Sequence, residues 1–166
     1  MRDSLGDISD GDRLDFPPEL EFLRRIWQLN HVLERLSRLM DRRLGVTAQQ
    51  RMVIRLAGRF PGITAGQLAR ELHVDPGTIS ALLSRLEEKG LVVRRRDPRD
   101  VRRVLVGLTT QGHQLDCPTD GTVEHGVASL LAGLSPDAIA RTQETLRCLV
   151  EHLEAEVTNA RTSKVR

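Results

Sequence analysis

The chain has 166 residues, of which 39% are hydrophobic and 29% are charged, and its formal net charge at pH 7 is +2. This length suits one domain with an appended interface, and the composition excludes a membrane-spanning stretch. Two cysteines, Cys117 and Cys148, are too few for a disulfide framework or a four-cysteine metal site. The first residues lack the apolar segment of a secretory signal, so we expect a cytoplasmic protein. No cofactor is predicted.

Charge is distributed unevenly along the chain. Residues 1–21 carry seven acids against two arginines, and residues 1–18 are predicted to form a flexible acidic tail. Residues 24–59 carry nine arginines, which suit either a solvated helix face with i to i+4 ion pairs or a basic surface. Residues 94–103 carry six arginines and two aspartates. This second cluster predicts a local field that attracts phosphate.

The first half of the chain has the patterns of successive helices. Apolar residues recur at three- and four-residue steps over residues 19–44, which predicts one long amphipathic helix. Thr47 with Gln50, and then Thr64 with Gln67, have the spacing of capping boxes, so they are predicted to open a second and a third helix. Because aromatic residues make up only 2% of the chain, leucine must supply the core, as is usual for packed helices.

A fourth helix has both of its ends marked in the sequence. Asp75 has the position of an N-cap with Pro76 after it, and Gly90 supplies the C-terminal stop. The apolar period then changes to two in residues 91–96 and 103–108, which predicts a β-hairpin with a charged turn at residues 97–100.

Helical pattern returns in the last third of the chain. Thr109 is predicted to restart it, and Pro118 with Gly121 predicts a kink or break within a fifth helix. Ser135 and Pro136 open a last helix.

Two short helices joined by a tight turn and followed by a basic hairpin form a winged helix-turn-helix, in which the second short helix enters the major groove of DNA. The predicted fold is therefore mainly α with a small β-hairpin wing. In the helix from residue 75 to 89, Ile79, Leu82, Leu83 and Leu86 are predicted to be buried. The candidate DNA-binding residues on its other face are Thr78, Ser80, Ala81, Ser84 and Arg85. Arg85 suits a phosphate, while the hydroxyls can bond base edges or phosphates, or can simply cap and solvate the helix.

The segment from Leu68 to Gly112 resembles the MarR family of bacterial transcription regulators. Its most specific stretch runs from Gly90-Leu91-Val92 through residues 97–103 to Leu108-Thr109-Thr110-Gln111-Gly112. The resemblance implies an Asp-x-Arg element at Asp100 and Arg102, with the arginine in the minor groove and the aspartate orienting it; Arg99 is a second candidate at the wing tip. Many members carry an arginine where this chain has Ala81, so base specificity must be built differently here.

The resemblance also implies a homodimer in which the first, fifth and sixth predicted helices interlock. In agreement, residues 19–44 and 127–157 are more apolar than one small winged-helix core can bury. The predicted partner is double-stranded DNA with an inverted-repeat operator, and no membrane is expected. The predicted divisions are an acidic tail (1–18), a dimerisation helix (19–46), a winged helix-turn-helix (47–108), C-terminal dimerisation helices (109–159) and a flexible tail (160–166).

Members of this family often bind a small anionic or phenolic effector between the dimerisation helices and the winged helix, which releases the DNA. The resemblance and the helical spacing make Trp27, His31 and Arg55 the candidates for lining such a crevice. The alternative input is oxidation of a thiol: Cys117 lies beside the predicted break, while Cys148 is predicted to be buried and inert. His113, Asp116 and Cys117 have a metal-ligand spacing, but no second cluster accompanies them, so no metal site is predicted.

The sequence disfavours two other classes of function. The chain contains no phosphate-binding glycine loop, no nucleophile elbow and no zinc-protease helix, so we predict that it is not an enzyme. A winged-helix module for protein interactions would be expected to lack the arginines of residues 94–103. The sequence thus favours a repressor that binds DNA.

Overall fold

The structure is a computed structural model that describes residues 15–163, and the predicted fold of helices with one hairpin is confirmed within them. Residues 1–14 of the predicted acidic tail, and residues 164–166, lie outside the described range. The helices are α1 (Pro18–Leu44), α2 (Ala48–Arg59), α3 (Ala65–Glu71), α4 (Pro76–Glu88), α5 (Thr110–Leu115), α6 (Val123–Ala132) and α7 (Pro136–Ser163). The strands are β1 (Val92–Asp97) and β2 (Asp100–Leu108), which pair antiparallel.

The two predicted capping boxes are present at the starts of α2 and α3. The Thr47 hydroxyl accepts the Gln50 amide at 3.2 Å, and the Gln50 side chain accepts the Thr47 amide at 3.2 Å. Thr64 and Gln67 make the same pair of bonds at 3.1 and 2.9 Å. These bonds satisfy backbone donors that the first turn of a helix leaves without partners. Local sequence therefore determines where both helices begin.

The core lies between α2, α3, α4 and the base of the hairpin. Its buried residues are Val46, Val53, Ile54, Ala57, Ile63, Leu68, Ala69, Ile79, Leu82, Leu83, Leu86, Leu91, Val92 and Val106. The hairpin is tied to the segment before α3, because the Val106 amide donates to the Ile63 carbonyl at 2.9 Å and Thr64 forms a β-bridge with Leu105. The wing therefore has a fixed base on the helical core.

The hairpin turn is tighter than predicted. The second strand begins at Asp100 and not at Arg103, so Asp100, Val101 and Arg102 lie in β2. Asp97 pairs with Asp100 across the end of the ladder, and the Asp97 carboxylate accepts the Arg99 amide at 2.9 Å. This Asx-type bond closes the turn over two residues, which lets the ladder extend further than its apolar alternation indicates.

The predicted fifth helix is broken and not merely kinked. α5 ends at Leu115, the chain forms a loop over residues 116–122 that contains Pro118, and α6 begins at Val123. Thr122 is almost fully buried, and its hydroxyl caps α6 by accepting the His125 amide at 3.2 Å. We call residues 116–122 the α5–α6 loop.

The last helix starts as predicted, with the Ser135 hydroxyl accepting the Ala138 amide at 3.2 Å. It continues through Ser163, beyond residue 159, so the flexible tail predicted from residue 160 is wrong for residues 160–163. Within residues 15–163, no helix is both long enough and apolar enough to cross a bilayer.

Candidate nucleic-acid interface

The fourth helix presents one apolar face to the core and one polar face to the outside. All four residues predicted to be buried, Ile79, Leu82, Leu83 and Leu86, are at most 7% exposed. On the opposite face Ser80, Ala81 and Arg85 are exposed, while Thr78 and Ser84 are half-buried. The helix is thus held by its apolar stripe, and its polar residues remain accessible to a ligand.

The hydroxyl of Thr78 is engaged at the start of α4. It donates to Asp75 Oδ2 at 2.6 Å, and the Thr78 amide donates to Asp75 Oδ1 at 2.9 Å. These two bonds, the side-chain bond first, hold the pKa of the Asp75 carboxyl below its ordinary value. Because the hydroxyl proton is committed to Asp75, Thr78 can only accept a further hydrogen bond. For Thr78, the capping role left open by the sequence is the one that the structure contains.

Two of the wing arginines are exposed at the hairpin tip. The side chain of Arg102 is 91% exposed, and Arg99 is also exposed. The Asp100 carboxylate accepts the Arg102 amide at 3.1 Å and its Nε at 3.4 Å, and a third nitrogen, Nε of Arg103, lies 3.8 Å away. Asp100 therefore contacts both arginines of β2 and restricts the direction in which Arg102 extends.

Arg94 belongs to the same basic cluster in the sequence but has a different role in the structure. Its guanidinium bonds Glu87 on α4, with Nε and Nη2 lying 2.8 and 2.5 Å from Oε2. The hydrogen bond from this arginine lowers the pKa of Glu87. This contact links the first strand of the wing to the fourth helix and orients one relative to the other.

One arginine near the wing was not singled out from the sequence. Arg70 is exposed on α3 and lines a cleft of about 340 Å³ together with Arg102 and Arg103. The first helix of a helix-turn-helix crosses the DNA backbone, so a basic residue on its exposed face was the available signal. Three guanidinium groups around one open cleft form a strongly cationic surface.

The residues predicted to line an effector crevice have different environments. Trp27 and His31 are exposed on α1, with Trp27 69% exposed in the single chain. Arg55 is not free for an anion, because its Nη1 donates to Asp116 Oδ1 at 2.5 Å.

A cavity of about 520 Å³ does lie between the end of α1 and the winged helix, where the crevice was predicted. It is lined by other polar residues, which include Asp41, Lys89, Gln111 and Gln114. Lys89 is the cation at this position.

The two cysteines differ in exposure. Cys117 is exposed in the α5–α6 loop, as predicted, with its thiol 3.4 Å from the Gln114 carbonyl. Cys148 was predicted to be buried, and this is wrong for the single chain, because α7 leaves it half-buried. The Glu144 carboxylate, 3.5 Å away, raises the pKa of the Cys148 thiol. No three His, Cys, Asp or Glu side chains within residues 15–163 are arranged to hold a metal ion.

Comparison with known proteins identifies similar regulators. A model of the MarR family matches residues 44–103. The organic hydroperoxide resistance transcriptional regulator of Bacillus subtilis is 34% identical over 74 residues, which cover 45% of this chain and 50% of that protein. The chain thus matches half the length of this relative. An HTH-type transcriptional repressor of Mycobacterium tuberculosis is 27% identical over 113 residues, covering 68% of this chain and 78% of the repressor.

Two solved structures share the fold over most of the chain. FabT of Streptococcus pneumoniae in complex with DNA is 28% identical, with a TM-score of 0.61 and coverage of 84% of this chain and 98% of FabT. PcaV of Streptomyces coelicolor in complex with its natural ligand is 25% identical, with a TM-score of 0.62 and coverage of 84% and 97%.

The contact between Asp75 and Thr78 can be tested by titration. We expect Thr78→Val to raise the pKa of Asp75, because valine removes the hydroxyl donor and keeps the amide donor. A depressed carboxyl pKa stabilises the fold above the pKa of the unfolded chain, and this contribution is lost as the pH falls through the folded value. Carbon-13 NMR of the Asp75 carboxyl measures the shift.

Thr64→Val is the matched control, since Thr64 also caps a helix but bonds Gln67 and not Asp75. An Asp75 pKa that is the same in the parent and in Thr78→Val would show that the hydroxyl bond is not formed in solution.

Proposed function

We propose that the chain is a winged helix-turn-helix transcriptional regulator of the MarR family, a DNA-binding protein and not an enzyme, and that it acts as a homodimeric repressor of an inverted-repeat operator. The observation that carries this proposal is the exposed arginine wing beside a fourth helix whose polar face is accessible. The relative from M. tuberculosis is named a repressor, which supports repression, and FabT was solved with DNA, which supports DNA binding. The protein acts in the cytoplasm, where operator DNA is found.

The fourth helix enters the major groove in this proposal. Ser80, Ala81 and Ser84 face the base edges, and Arg85 neutralises a phosphate. Thr78 donates its hydroxyl to Asp75, which caps the helix, and offers only its remaining lone pair to DNA. Serine and alanine are short, so the helix can approach the groove floor closely.

The wing supplies an electrostatic contact on the flank of each half-site. Arg102 enters the minor groove, where a narrow groove concentrates negative potential, and Asp100 orients it. Arg99 extends from the turn toward the adjacent backbone. The alternative of a winged helix that binds only proteins gains no support, since these guanidinium groups are exposed and the family binds DNA.

Substitutions in the wing and in the fourth helix should affect DNA binding differently. Arg102→Ala should weaken binding to all duplexes by at least about tenfold and lower the salt slope by about 2, since a dimer loses two cationic contacts. Ser80→Ala should instead change the preferred base at one position in each half-site with little change in slope. Binding is measured by fluorescence anisotropy with a duplex selected by the parent protein from a random library.

Arg38→Ala is the control for lost charge, because Arg38 is exposed on α1 and lies 3.9 Å from Glu34. A salt slope that is equal for Arg102→Ala and the parent would remove the wing from the interface. A uniform loss for Ser80→Ala across all sequences would reduce Ser80 to a phosphate contact.

The homodimer is proposed because long apolar faces are left uncovered in the single chain. The exposed apolar residues are Leu20, Phe22, Leu23, Trp27, Leu29, Val32, Leu33 and Leu39 on α1, Val127, Leu130 and Leu131 on α6, and Leu146, Val150, Leu153 and Val157 on α7. Uncovered faces of this size are typical of an interface between subunits. A two-fold dimer of these faces places two fourth helices on one side of the DNA, about one helical turn apart.

Charges placed on this face should separate the subunits. We expect Leu146→Asp with Leu153→Asp to raise the dimer dissociation constant by at least about 100-fold, because four apolar side chains per dimer are lost and replaced by carboxylates. Sedimentation equilibrium gives this constant. Val101→Asp is the matched control, since Val101 is 65% exposed on the wing. A double variant that remains as dimeric as the parent would place the interface elsewhere.

A small anionic or phenolic effector is proposed to bind between α1 and the winged helix and to lower operator affinity. The cavity near Lys89 supports a site there, and PcaV was solved with its natural ligand. The cavity is lined by Asp41, Lys89, Gln111 and Gln114, and not by Trp27, His31 or Arg55, which the sequence predicted. An effector shifts the equilibrium only by its different affinity for the DNA-competent state and the released state.

Oxidation of Cys117 is the alternative input, because its thiol is exposed and the B. subtilis relative is named for organic hydroperoxide resistance. We expect phenolic acids to lower operator affinity in the parent and equally in a Cys117→Ser, Cys148→Ser double variant, measured by anisotropy under reducing conditions. If peroxide releases DNA from the parent but not from the double variant, and no phenolic acid lowers operator affinity, the effector proposal is wrong and oxidation of Cys117 replaces it.

A further inference from the structure

One charged side chain, which has no part in the proposed DNA contacts, is fully buried where α2 meets the α5–α6 loop. Arg51 on α2 is 0% exposed. Its Nη1 donates to the Leu115 carbonyl at 2.8 Å, and its Nη2 donates to the Cys117 carbonyl at 2.6 Å and to Thr119 Oγ1 at 3.1 Å. Its Nε donates to the Glu124 carboxylate. A guanidinium stays charged when buried, so burial is tolerable here only because acceptors surround it.

The acceptors of Arg51 come from three consecutive parts of the chain. Leu115 is the last residue of α5, Cys117 and Thr119 belong to the α5–α6 loop, and Glu124 lies in the first turn of α6. The fixed planar fork of the guanidinium requires these groups to hold one arrangement. Arg51 thereby ties the winged helix, which contains α2, to the point where the chain leaves for α6 and α7.

Neighbouring contacts bring the same loop against α2 and α1. Arg55, one turn after Arg51, bonds Asp116 at 2.5 Å, and Arg43 at the end of α1 bonds the Asp120 carbonyl at 3.5 Å. A Cβ atom built on Gly58 would lie 1.8 Å from Asp116 Oδ2. The Asp116 carboxylate therefore occupies the space beside Gly58 and would have to shift to admit a side chain there.

The winged helix is joined to the long helices at two junctions, the α5–α6 junction at Arg51 and the α1–α2 junction. A cation also holds the α1–α2 junction. Lys89, at the end of α4, donates to the Gly45 carbonyl at 2.6 Å and to Gln50 Oε1 at 3.3 Å, at the junction of α1 and α2. Lys89 is partly exposed, whereas Arg51 is buried and makes four bonds. Of the two junctions, the one at Arg51 is built more rigidly.

We propose that Arg51 is a positioning residue that sets the separation of DNA half-sites accepted by the dimer. The inference rests on the proposed function, in which α1, α6 and α7 join the subunits. Each fourth helix is then carried on a winged helix whose angle to the dimer axis depends on the α1–α2 and α5–α6 junctions. A rotation at the α5–α6 junction moves the two fourth helices apart or together. Spacing can be discriminated only if this junction resists such rotation.

The test compares affinities for duplexes that differ only in spacing. Probes are the inverted-repeat duplex selected from a random library by the full-length parent and the same duplex with two base pairs inserted between the half-sites. We define the spacing ratio as the affinity for the selected duplex divided by the affinity for the duplex with the insertion. We expect this ratio to fall at least tenfold in Arg51→Lys, which keeps the charge and loses the planar fork of the guanidinium. Dimer dissociation and affinity for a single half-site should stay within about threefold of the parent, since neither depends on spacing.

Arg59→Lys is the matched control, because Arg59 ends the same helix and is exposed. Glu124→Gln perturbs the junction from α6, where the carboxylate is 36% exposed, and should lower the spacing ratio at least threefold. If Arg51→Lys does not fold, Glu124→Gln decides the question.

The role of Arg51 would be overturned if Arg51→Lys and Glu124→Gln, or whichever of them folds, had the same spacing ratio as the parent. Loss of dimerisation in Arg51→Lys, with the spacing ratio of any residual dimer unchanged, would also overturn it. A parent protein that selects no duplex at all would overturn the proposed function itself, which separates that failure from a failure of this inference.

Discussion

Burial of the apolar face of α4 is the constraint on which the rest of the proposed DNA-binding surface depends. Leu83 and Leu86 are at most 1% exposed, and full burial of such a side chain is worth about 2 kcal/mol. Rotation of the helix about its axis would expose this stripe, so the opposite face has to point outward. The position of Ser80, Ala81 and Arg85 is thus a consequence of packing on the other side of the same helix.

The arginines of the chain divide into groups with different physical roles. Those on α1 at positions 24, 25 and 38 pair with glutamates three or four residues away and belong to a solvated face. Those at positions 43, 51 and 55 bond the α5–α6 loop, and Arg94 bonds α4. Arg70, Arg99, Arg102 and Arg103 remain around the wing and its cleft. The number of arginines therefore overstates the basic surface that is available to DNA, because several guanidinium groups are committed within the fold.

Uncovered apolar helices and a rigid junction are complementary features of this chain. Apolar residues on α1, α6 and α7 are uncovered in the single chain, while α2 is attached to α6 through a buried guanidinium. In the proposed dimer, a signal that acts at this junction would change the separation of the fourth helices without unfolding either one. The cavity beside Lys89 and the exposed Cys117 lie at the two junctions, one at each.

The sequence by itself determined the features that depend on local chemistry. The capping boxes at Thr47 and Thr64, the ends of α4, the break near Pro118 and the buried stripe of α4 were all predictable, since each depends on residues within one or two turns. The resemblance in the wing added the Asp100 and Arg102 pair. Tertiary structure decided the partners of charged groups that are distant in sequence. Arg51 and Glu124 are 73 residues apart, and Arg55 and Asp116 are 61 apart, so no periodicity along the chain could show that these groups meet. Only the fold brings them together, and the low dielectric of its interior then requires each buried charge to have a partner.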